Sequence, residues 1–132
     1  HKKVVFRAFS IYIILGLFIF PVFHQGGSIG YLLTPNFGYL LGLYPLIKII
    51  DNLNNRNKIN VGNFLKNGFI AIGAMHLTGI FYNFIQIIFY SQYNLFLYNL
   101  GKYSLGKIGY HLLMLFPLLL LIKPIERLKR SK

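Results

Sequence analysis

The sequence predicts an all-α fold in the form of a polytopic membrane helical bundle. Hydrophobic residues make up 55% of the 132 residues and charged residues only 12%, whereas soluble chains average about 25% charged residues. Two long stretches, 8–47 and 67–101, contain no Asp, Glu, Lys or Arg. A soluble fold with so little polar surface would expose large apolar patches to water. The same composition suits a bundle whose outer surface faces lipid.

Four transmembrane helices are predicted, within a single membrane domain that covers residues 1–132. One span needs roughly 20 residues, so the stretch 8–47 is too long for one helix and divides where Pro21 and a Gly-rich segment interrupt it. The polar, Asn-rich segment 52–63 separates the second helix from the third. The predicted helices cover about 4–22, 37–52, 64–90 and 106–124.

The basic residues predict the topology of this bundle. If the chain crosses the membrane four times, 12 of its 14 Lys and Arg residues fall on one side, and only Lys102 and Lys107 fall on the other. Cytoplasmic segments carry the excess of Lys and Arg. We therefore predict a multi-pass protein of the cell membrane with both termini of this chain in the cytoplasm. The outer loops would cover about 22–36 and 84–107.

Composition also excludes several classes of function. The chain has no Cys, which removes disulfides, thiolate nucleophiles and Cys-based metal sites. Its only acids, Asp51 and Glu126, both fall on the predicted cytoplasmic side, and no P-loop is present. The net charge of +12 does not indicate nucleic acid, because the basic residues lie at the ends of uncharged runs. We predict no enzyme activity, catalytic residue, metal, cofactor or nucleic-acid partner.

The most informative segment is 16–42, GLFIFPVFHQGGSIGYLLTPNFGYLLG. Gly26, Gly27 and Gly30 permit backbone conformations that are closed to other residues. Irregular backbone at membrane depth persists only where it is buried in protein or lines a cavity. These residues leave two interpretations open, a ligand-binding loop or a plain connecting loop. Gly38 and Gly42 form a GxxxG pair, which indicates close packing between helices.

This segment resembles the BioY family, the substrate-binding (S) components of energy-coupling factor transporters for biotin. That family shows G-x-x-G-x-P-V-F, then a Gly-rich stretch, then G-P-T-x-G-Y-L-x-G. Residues 16–23 are similar to the first part, with one expected Gly absent, and the three loop glycines correspond to the second. The third part is matched by Pro35, Gly38, Tyr39 and Gly42, with Thr34 and Asn36 replacing the usual Gly and Thr. A weaker similarity covers 68–82.

The resemblance implies a six-helix S-component fold of which this chain holds the last four helices, so we expect the chain to be N-terminally incomplete. It implies that biotin is captured at the outer face and delivered inward by an ATP-driven energising module. The implied partners are a transmembrane T component and ATPase subunits. Many members have an Asp and a Lys three residues apart at the mouth of the last helix, where this chain has His111 and Met114.

Two alternatives to biotin uptake remain open at this point. Because the Asp and Lys are replaced, the chain is either a transporter or a degenerate or structural membrane subunit without transport. Because pocket residues decide the ligand, an S component for another vitamin is the other alternative.

The chemistry of biotin selects the candidate site residues. Its carboxylate needs a cation or several N–H donors, and its ring and valeryl chain need apolar, aromatic walls. His76 lies in mid-helix, where polar groups usually face the bundle interior, so it either contacts the ligand or bonds to a neighbouring helix. Lys107 either meets the carboxylate or snorkels to the interface. Further candidates are Gln25, Ser28, Tyr82, Gln86 and Lys102. The predicted substrate-binding residues are Gly26, Gly27, Gly30, Tyr31, Pro35, Asn36, Tyr39, His76, Asn83, Lys107 and His111.

Overall fold

The structure, a computed structural model, describes residues 2–23, 26–56, 60–90, 93–120 and 124. Within these ranges it consists of helices and short connections and contains no β-strand, so the all-α prediction is confirmed. In chain order the helices are α1 (Lys2–Phe18), a 3-10 helix (Ile29–Leu33), α2 (Pro35–Leu41), α3 (Leu43–Arg56), α4 (Val61–Tyr90), α5 (Tyr93–Asn99), a π-helix (Leu100–Leu105) and α6 (Gly106–Leu113). Residues 115–120 are again helical.

Glycines bring α2 and α4 into close contact. A Cβ at Gly38 would overlap the ring of Tyr82, and a Cβ at Gly79 would overlap the ring of Tyr39. Gly42, one turn after Gly38, lies against the backbone of α4. These pairs show that α2 and α4 run antiparallel. The predicted packing role of the GxxxG pair is confirmed, because small residues allow helix backbones to approach each other.

The segment 93–120 packs along α4 in the opposite direction. Phe84 meets Phe96 edge-on with ring centroids 6.3 Å apart, and Gly68, nearer the start of α4, lies against Leu115. By length and composition, Val61–Phe89 and Tyr93–Leu120 are each able to cross a membrane. The predicted four spans stay a prediction, since these are the two helices in the described ranges that meet this test.

Two prolines interrupt the helices predicted over 37–52 and 106–124. Proline in a helix removes the hydrogen bond to the carbonyl four residues earlier and clashes with that carbonyl. Pro45 stands four residues after Leu41, where α2 ends. Pro117 stands four residues after Leu113, where α6 ends. Each predicted helix is therefore divided at the carbonyl that its proline leaves without an amide partner.

Within the described part of the outer loop predicted over 84–107, helical structure continues beyond the predicted helix 64–90, and the outer position of this segment stays a prediction. Helix α4 continues to Tyr90, α5 begins at Tyr93, and the π-helix joins α5 to α6. Residues 93–105 contain no proline, and they bury the polar side chains of Asn99 and Ser104. Burial of one side of this segment stabilises a helix where the sequence suggested an exposed connection.

The ends of two helices have local causes. Helix α1 ends at Phe18 rather than near residue 22, because the amides of the next two residues both donate to the Leu15 carbonyl, at 2.9 and 2.8 Å. Helix α4 begins at Val61 rather than near residue 64. There the Asn60 side chain accepts a hydrogen bond of 2.7 Å from the Asn63 amide, which is the usual action of an N-cap residue.

A small aromatic core lies where the segment 22–36 folds back on α1. Phe23 stacks on Tyr31 with ring centroids 4.5 Å apart, and Ile13 and Phe37 complete the buried cluster. Part of this predicted loop is the 3-10 helix, and α2 begins at its end. The segment is thus packed against the bundle at the level of the α2 N-terminus.

Candidate functional site

A cavity of about 260 Å³ lies between the 3-10 helix, α2, the start of α3, α4 and the residues from the π-helix to α6. Its volume is slightly below the roughly 300–1,000 Å³ of sites that enclose a small molecule. It brings together five of the predicted site residues from separate elements. The residues that line it are Tyr31, Asn36, Tyr39, Leu40, Leu43, Met75, Tyr103, Lys107 and His111.

Helical spacing explains why these side chains share the cavity. Residues three or four positions apart lie on one face of a helix. Asn36 and Tyr39 are three apart on α2, and Lys107 and His111 are four apart on α6. Tyr31 comes from the 3-10 helix and is only 8% exposed. The face of α2 and the face of α6 therefore form opposite parts of the lining.

A hydrogen-bonded group of three polar side chains lies beside the cavity. Nδ1 of His76 is 2.9 Å from Oγ of Ser104, and Nε2 of His76 is 3.0 Å from Nδ1 of His111. His76 is 2% exposed and Ser104 is 4% exposed. Polar side chains within a membrane are costly and are usually paired. His76 thus bonds to the neighbouring segment and lies behind the cavity wall, hydrogen-bonded to His111 and with its ring centroid 5.7 Å from that of Tyr39.

Lysines and tyrosines form the polar part of the cavity rim. The Lys107 ammonium group lies 5.4 Å from the centroid of the Tyr103 ring, and that of Lys102 lies 5.3 Å from the same ring. Such cation–π contacts hold an ammonium group over an aromatic face. Lys107 is exposed at the cavity, and no acidic residue is among the lining residues. The local charge therefore favours an anion.

Asn83 and Pro35 line a separate, smaller cavity of about 60 Å³. Asn83 is 3% exposed and donates a hydrogen bond of 2.9 Å to the Gly79 carbonyl. Its Oδ1 atom and the Tyr39 hydroxyl are buried, and within the described ranges neither forms a hydrogen bond of full geometry, although the Tyr39 hydroxyl lies close to the side chains of Asn83 and Ser104. Buried polar atoms of this kind are uncommon in folded proteins. In the part of the bundle between the two cavities, these polar atoms therefore remain available for further hydrogen bonds.

The predicted loop glycines lie away from the cavity that Lys107 and His111 line. Gly26 adopts φ 97°, a conformation that L-residues rarely take. Gly27 lies against the carbonyls at the end of α1, where a Cβ would overlap the Gly16 and Phe20 oxygens. Gly30 is exposed. These positions explain the glycines by backbone geometry, and a ligand role for them stays a prediction. Two loop residues, His24 and Gln25, lie outside the described residues.

Further candidates have structural partners. The Gln86 side chain donates to the Leu33 carbonyl at 2.9 Å, and the Tyr82 hydroxyl donates to the Leu32 carbonyl. Both bonds attach the 3-10 helix to α4. Ser28 is exposed and has a positive φ of 135°, which a non-Gly residue rarely adopts.

Sequence reasoning missed four lining residues, which are Leu40, Leu43, Met75 and Tyr103, and it also missed Ser104 behind the lining. Ser104 precedes His111 by seven residues, and His76 precedes Asn83 by seven. A spacing of seven places two side chains on one helix face. The seven-residue spacing within each pair was the available signal for Ser104. It does not indicate that the pair Ser104 and His111 meets the pair His76 and Asn83. For Tyr103, whose ring lines the cavity, no comparable spacing was available.

The chemical groups at this site are ones that bind and orient a small organic molecule. Among the described residues, no group of three or more His, Cys, Asp or Glu side chains is close enough to hold a metal ion. The two histidines bond to each other and to a serine. The lining provides an ammonium group, an imidazole, an amide and aromatic rings, which are groups that orient a small organic anion.

Comparisons with known proteins agree with the sequence motifs. The sequence profile of the BioY family matches residues 2–119. A protein of Lysinibacillus sphaericus described as "Probable biotin transporter BioY" is 54% identical over 51 residues, which cover 39% of this chain. The aligned part spans only 26% of that relative. No solved structure matches the chain.

Proposed function

The chain belongs to the BioY family, and from this premise we propose that it binds biotin and takes part in its uptake across a membrane. The observation that carries the proposal is the cavity that gathers Tyr31, Asn36, Tyr39, Lys107 and His111. Four of these side chains were selected from the sequence for the chemistry of biotin, and His111 for its position in the family resemblance. The relative from Lysinibacillus sphaericus, described as a probable biotin transporter, supports the same ligand.

Each part of biotin has a matching group in the cavity. The carboxylate pairs with the Lys107 ammonium group, which accepts no hydrogen bond and presents three donors. The ureido group, with two N–H donors and one carbonyl, is met by the amide of Asn36 and the imidazole of His111. The apolar bicyclic ring and valeryl chain pack against the rings of Tyr39 and Tyr103, whose centroids are 6.1 Å apart.

The proposed mechanism is binding without chemistry, followed by reorientation of the bundle. Biotin enters at the outer face, which is the side of Lys102 and Lys107 in the proposed topology. A T component and ATPase subunits then supply the energy for inward release, because this chain has no P-loop. The four-span arrangement with cytoplasmic termini, the cell-membrane location and the ligand role of the loop glycines belong to this proposal.

A second candidate is the uptake of another small carboxylate, in particular another vitamin. The observation that favours it is the absence of any acidic side chain among the lining residues. Such a cavity can bind an anion. It offers no carboxylate, however, to accept hydrogen bonds from the ureido N–H groups that distinguish biotin from other carboxylates. Biotin and the alternative ligands therefore have to be compared directly.

The test is calorimetric titration of the full-length purified protein with biotin and with biotinamide, in which a neutral amide replaces the carboxylate. The wild-type protein should bind biotin stoichiometrically and more tightly than biotinamide. In the variant Lys107→Gln the affinity for biotin should fall about tenfold, since a hydrogen bond to a charged group is worth about 1.5 kcal/mol or more. The affinity for biotinamide should remain unchanged.

The matched control is Lys66→Gln, because Lys66 is an exposed lysine of α4 outside the cavity lining. Its affinity for biotin should equal that of the wild-type protein. A wild-type protein that binds another vitamin but not biotin would establish the second candidate. A protein that binds neither would contradict the transport proposal and support a structural subunit.

A further inference from the structure

We propose that Ser104 and His76 are positioning residues that set the hydrogen-bonding direction of His111 toward the ligand. The three side chains form one chain of hydrogen bonds, from a buried hydroxyl to the cavity wall. The direction of this chain decides whether the free ring nitrogen of His111 donates or accepts. This inference rests on the proposed function for the identity of the ligand. The row of hydrogen bonds from Ser104 through His76 to His111 is testable without any ligand.

The geometry leaves one nitrogen of His111 for the cavity. His76 uses both ring nitrogens, with Nδ1 at 2.9 Å from Ser104 Oγ and Nε2 at 3.0 Å from His111 Nδ1. Because His111 Nδ1 is engaged, Nε2 is its remaining polar atom. His111 lines the cavity, whereas His76 and Ser104 are buried. His111 thus gives the buried pair a hydrogen-bonded route to the ligand, and both members of the pair also lie beside Tyr39 of the cavity lining.

Proton counting allows two arrangements for neutral histidines, each of which has one donor nitrogen and one acceptor nitrogen. In the first, the Ser104 hydroxyl donates to His76, His76 Nε2–H donates to His111, and His111 Nε2–H donates into the cavity. In the second, His111 Nδ1–H donates to His76, His76 Nδ1–H donates to Ser104, and His111 Nε2 accepts from the cavity. Both histidines therefore share the same tautomer, either both Nε2–H or both Nδ1–H.

The serine hydroxyl makes both arrangements possible, because it can donate or accept a hydrogen bond. A buried ring nitrogen without a partner is strongly destabilising, so His76 retains both bonds in either state. Ser104 lies in the π-helix, and such widened turns occur often at functional sites. The ureido group of biotin offers N–H donors and a carbonyl acceptor. His111 can therefore match either group, and binding selects one direction for the whole chain.

The first experiment is nitrogen-15 NMR of the full-length protein with labelled histidine, without ligand. Measurement at about pH 8 keeps ordinary histidines neutral, since their usual pKa is about 6.5. His76 and His111 should show the same fractions of the two tautomers. Ser104→Ala should shift the ring signals of His111, and Ser104→Thr, which keeps the hydroxyl, should restore them. Different tautomer fractions, or His111 signals that Ser104→Ala leaves unchanged, would overturn the proposal.

The second experiment is a double-mutant cycle on biotin affinity. Ser104→Ala should weaken biotin binding roughly fivefold, within the coupling expected for groups in one network. In the His111→Phe background, the same Ser104→Ala change should have a clearly smaller effect, because only the proximity of Ser104 to the Tyr39 hydroxyl remains. An equal loss in both backgrounds would overturn the proposal, because it would show a general structural role.

The two experiments separate the two proposals. If the wild-type protein does not bind biotin, the proposed function fails while the NMR measurement still decides the hydrogen-bonded chain. If biotin binds and the tautomer fractions of His76 and His111 differ, the proposed row of hydrogen bonds is contradicted while the proposed function stands.

Discussion

Helix α4 has two interfaces that are built from different chemistry. Its contact with α2 consists of glycines against rings, with Gly79 beneath Tyr39 and Gly38 beneath Tyr82. Its contact with the segment from the π-helix to α6 consists of hydrogen bonds from His76. The two interfaces meet at Tyr39, whose ring centroid is 5.7 Å from that of His76.

The contrast indicates a division between stability and binding. Packing of small residues against rings stabilises helix pairs inside a membrane, and it leaves little room for a ligand. Buried histidine and serine side chains are costly there and usually mark a functional site. The cavity opens beside the second interface, and Tyr39 links it to the first. Variants that affect one interface and not the other test this division.

The largest expected effect is on the glycine interface. Gly79→Ala would place a Cβ against the Tyr39 ring, and overpacking of this kind costs about 1–3 kcal/mol. Gly73→Ala is the matched control on the same helix, because no neighbouring atom lies within 4 Å of its Cβ position. The control should be neutral or should stabilise α4 by up to about 1 kcal/mol. Unfolding in detergent by denaturant titration measures both, and equal stabilities would contradict the close contact.

A smaller effect distinguishes two tyrosines of the same interface. Tyr82→Phe removes the hydroxyl that donates to the Leu32 carbonyl, and it should lower the free energy of unfolding by about 1 kcal/mol. The buried Tyr39 hydroxyl lies close to Ser104 and Asn83 but forms no hydrogen bond of full geometry in the described part of the chain. Tyr39→Phe should therefore leave stability unchanged or slightly higher, and any loss should appear in biotin affinity. Loss of stability in Tyr39→Phe with unchanged affinity would reverse this assignment.

The smallest expected effect concerns the bond that attaches the 3-10 helix beside Tyr82. Gln86→Ala removes a donor to the Leu33 carbonyl at an exposed position, which should cost about 0.5 kcal/mol. In the Tyr82→Phe background the cost should rise, because the adjacent attachment is already lost and the two bonds act on one segment. Strictly additive losses in the double variant would show that the two bonds act independently.

The secondary structure was only partly predictable from the pattern of apolar residues. That pattern indicates helices, since long uncharged runs in lipid have to satisfy their backbone hydrogen bonds internally. The breaks at Leu41 and Leu113 were not predicted, although Pro45 and Pro117 are visible in the sequence. The apolar runs continue across both prolines and so indicated unbroken helices. The helical state of 93–105 was also missed. Its stability depends on burial against α4, which no local pattern reports.

The candidate site shows the same limit in its chemistry. Tyr31, Asn36, Tyr39, Lys107 and His111 were each selectable by residue type and predicted side of the bundle. Their convergence on one cavity depends on how separate helices pack. Asn83 and Pro35 were selected by the same reasoning, yet they line a different cavity.

The sequence by itself determined the all-α class, the GxxxG contact and the family, because composition and short-range spacing follow directly from the order of residues. Tertiary structure alone decided which polar groups meet. Ser104 and His76 are 28 residues apart, and His76 and His111 are 35 apart. No periodicity of a single helix relates such positions. Only the antiparallel packing of α4 with the segment from the π-helix to α6 brings their atoms within hydrogen-bonding distance.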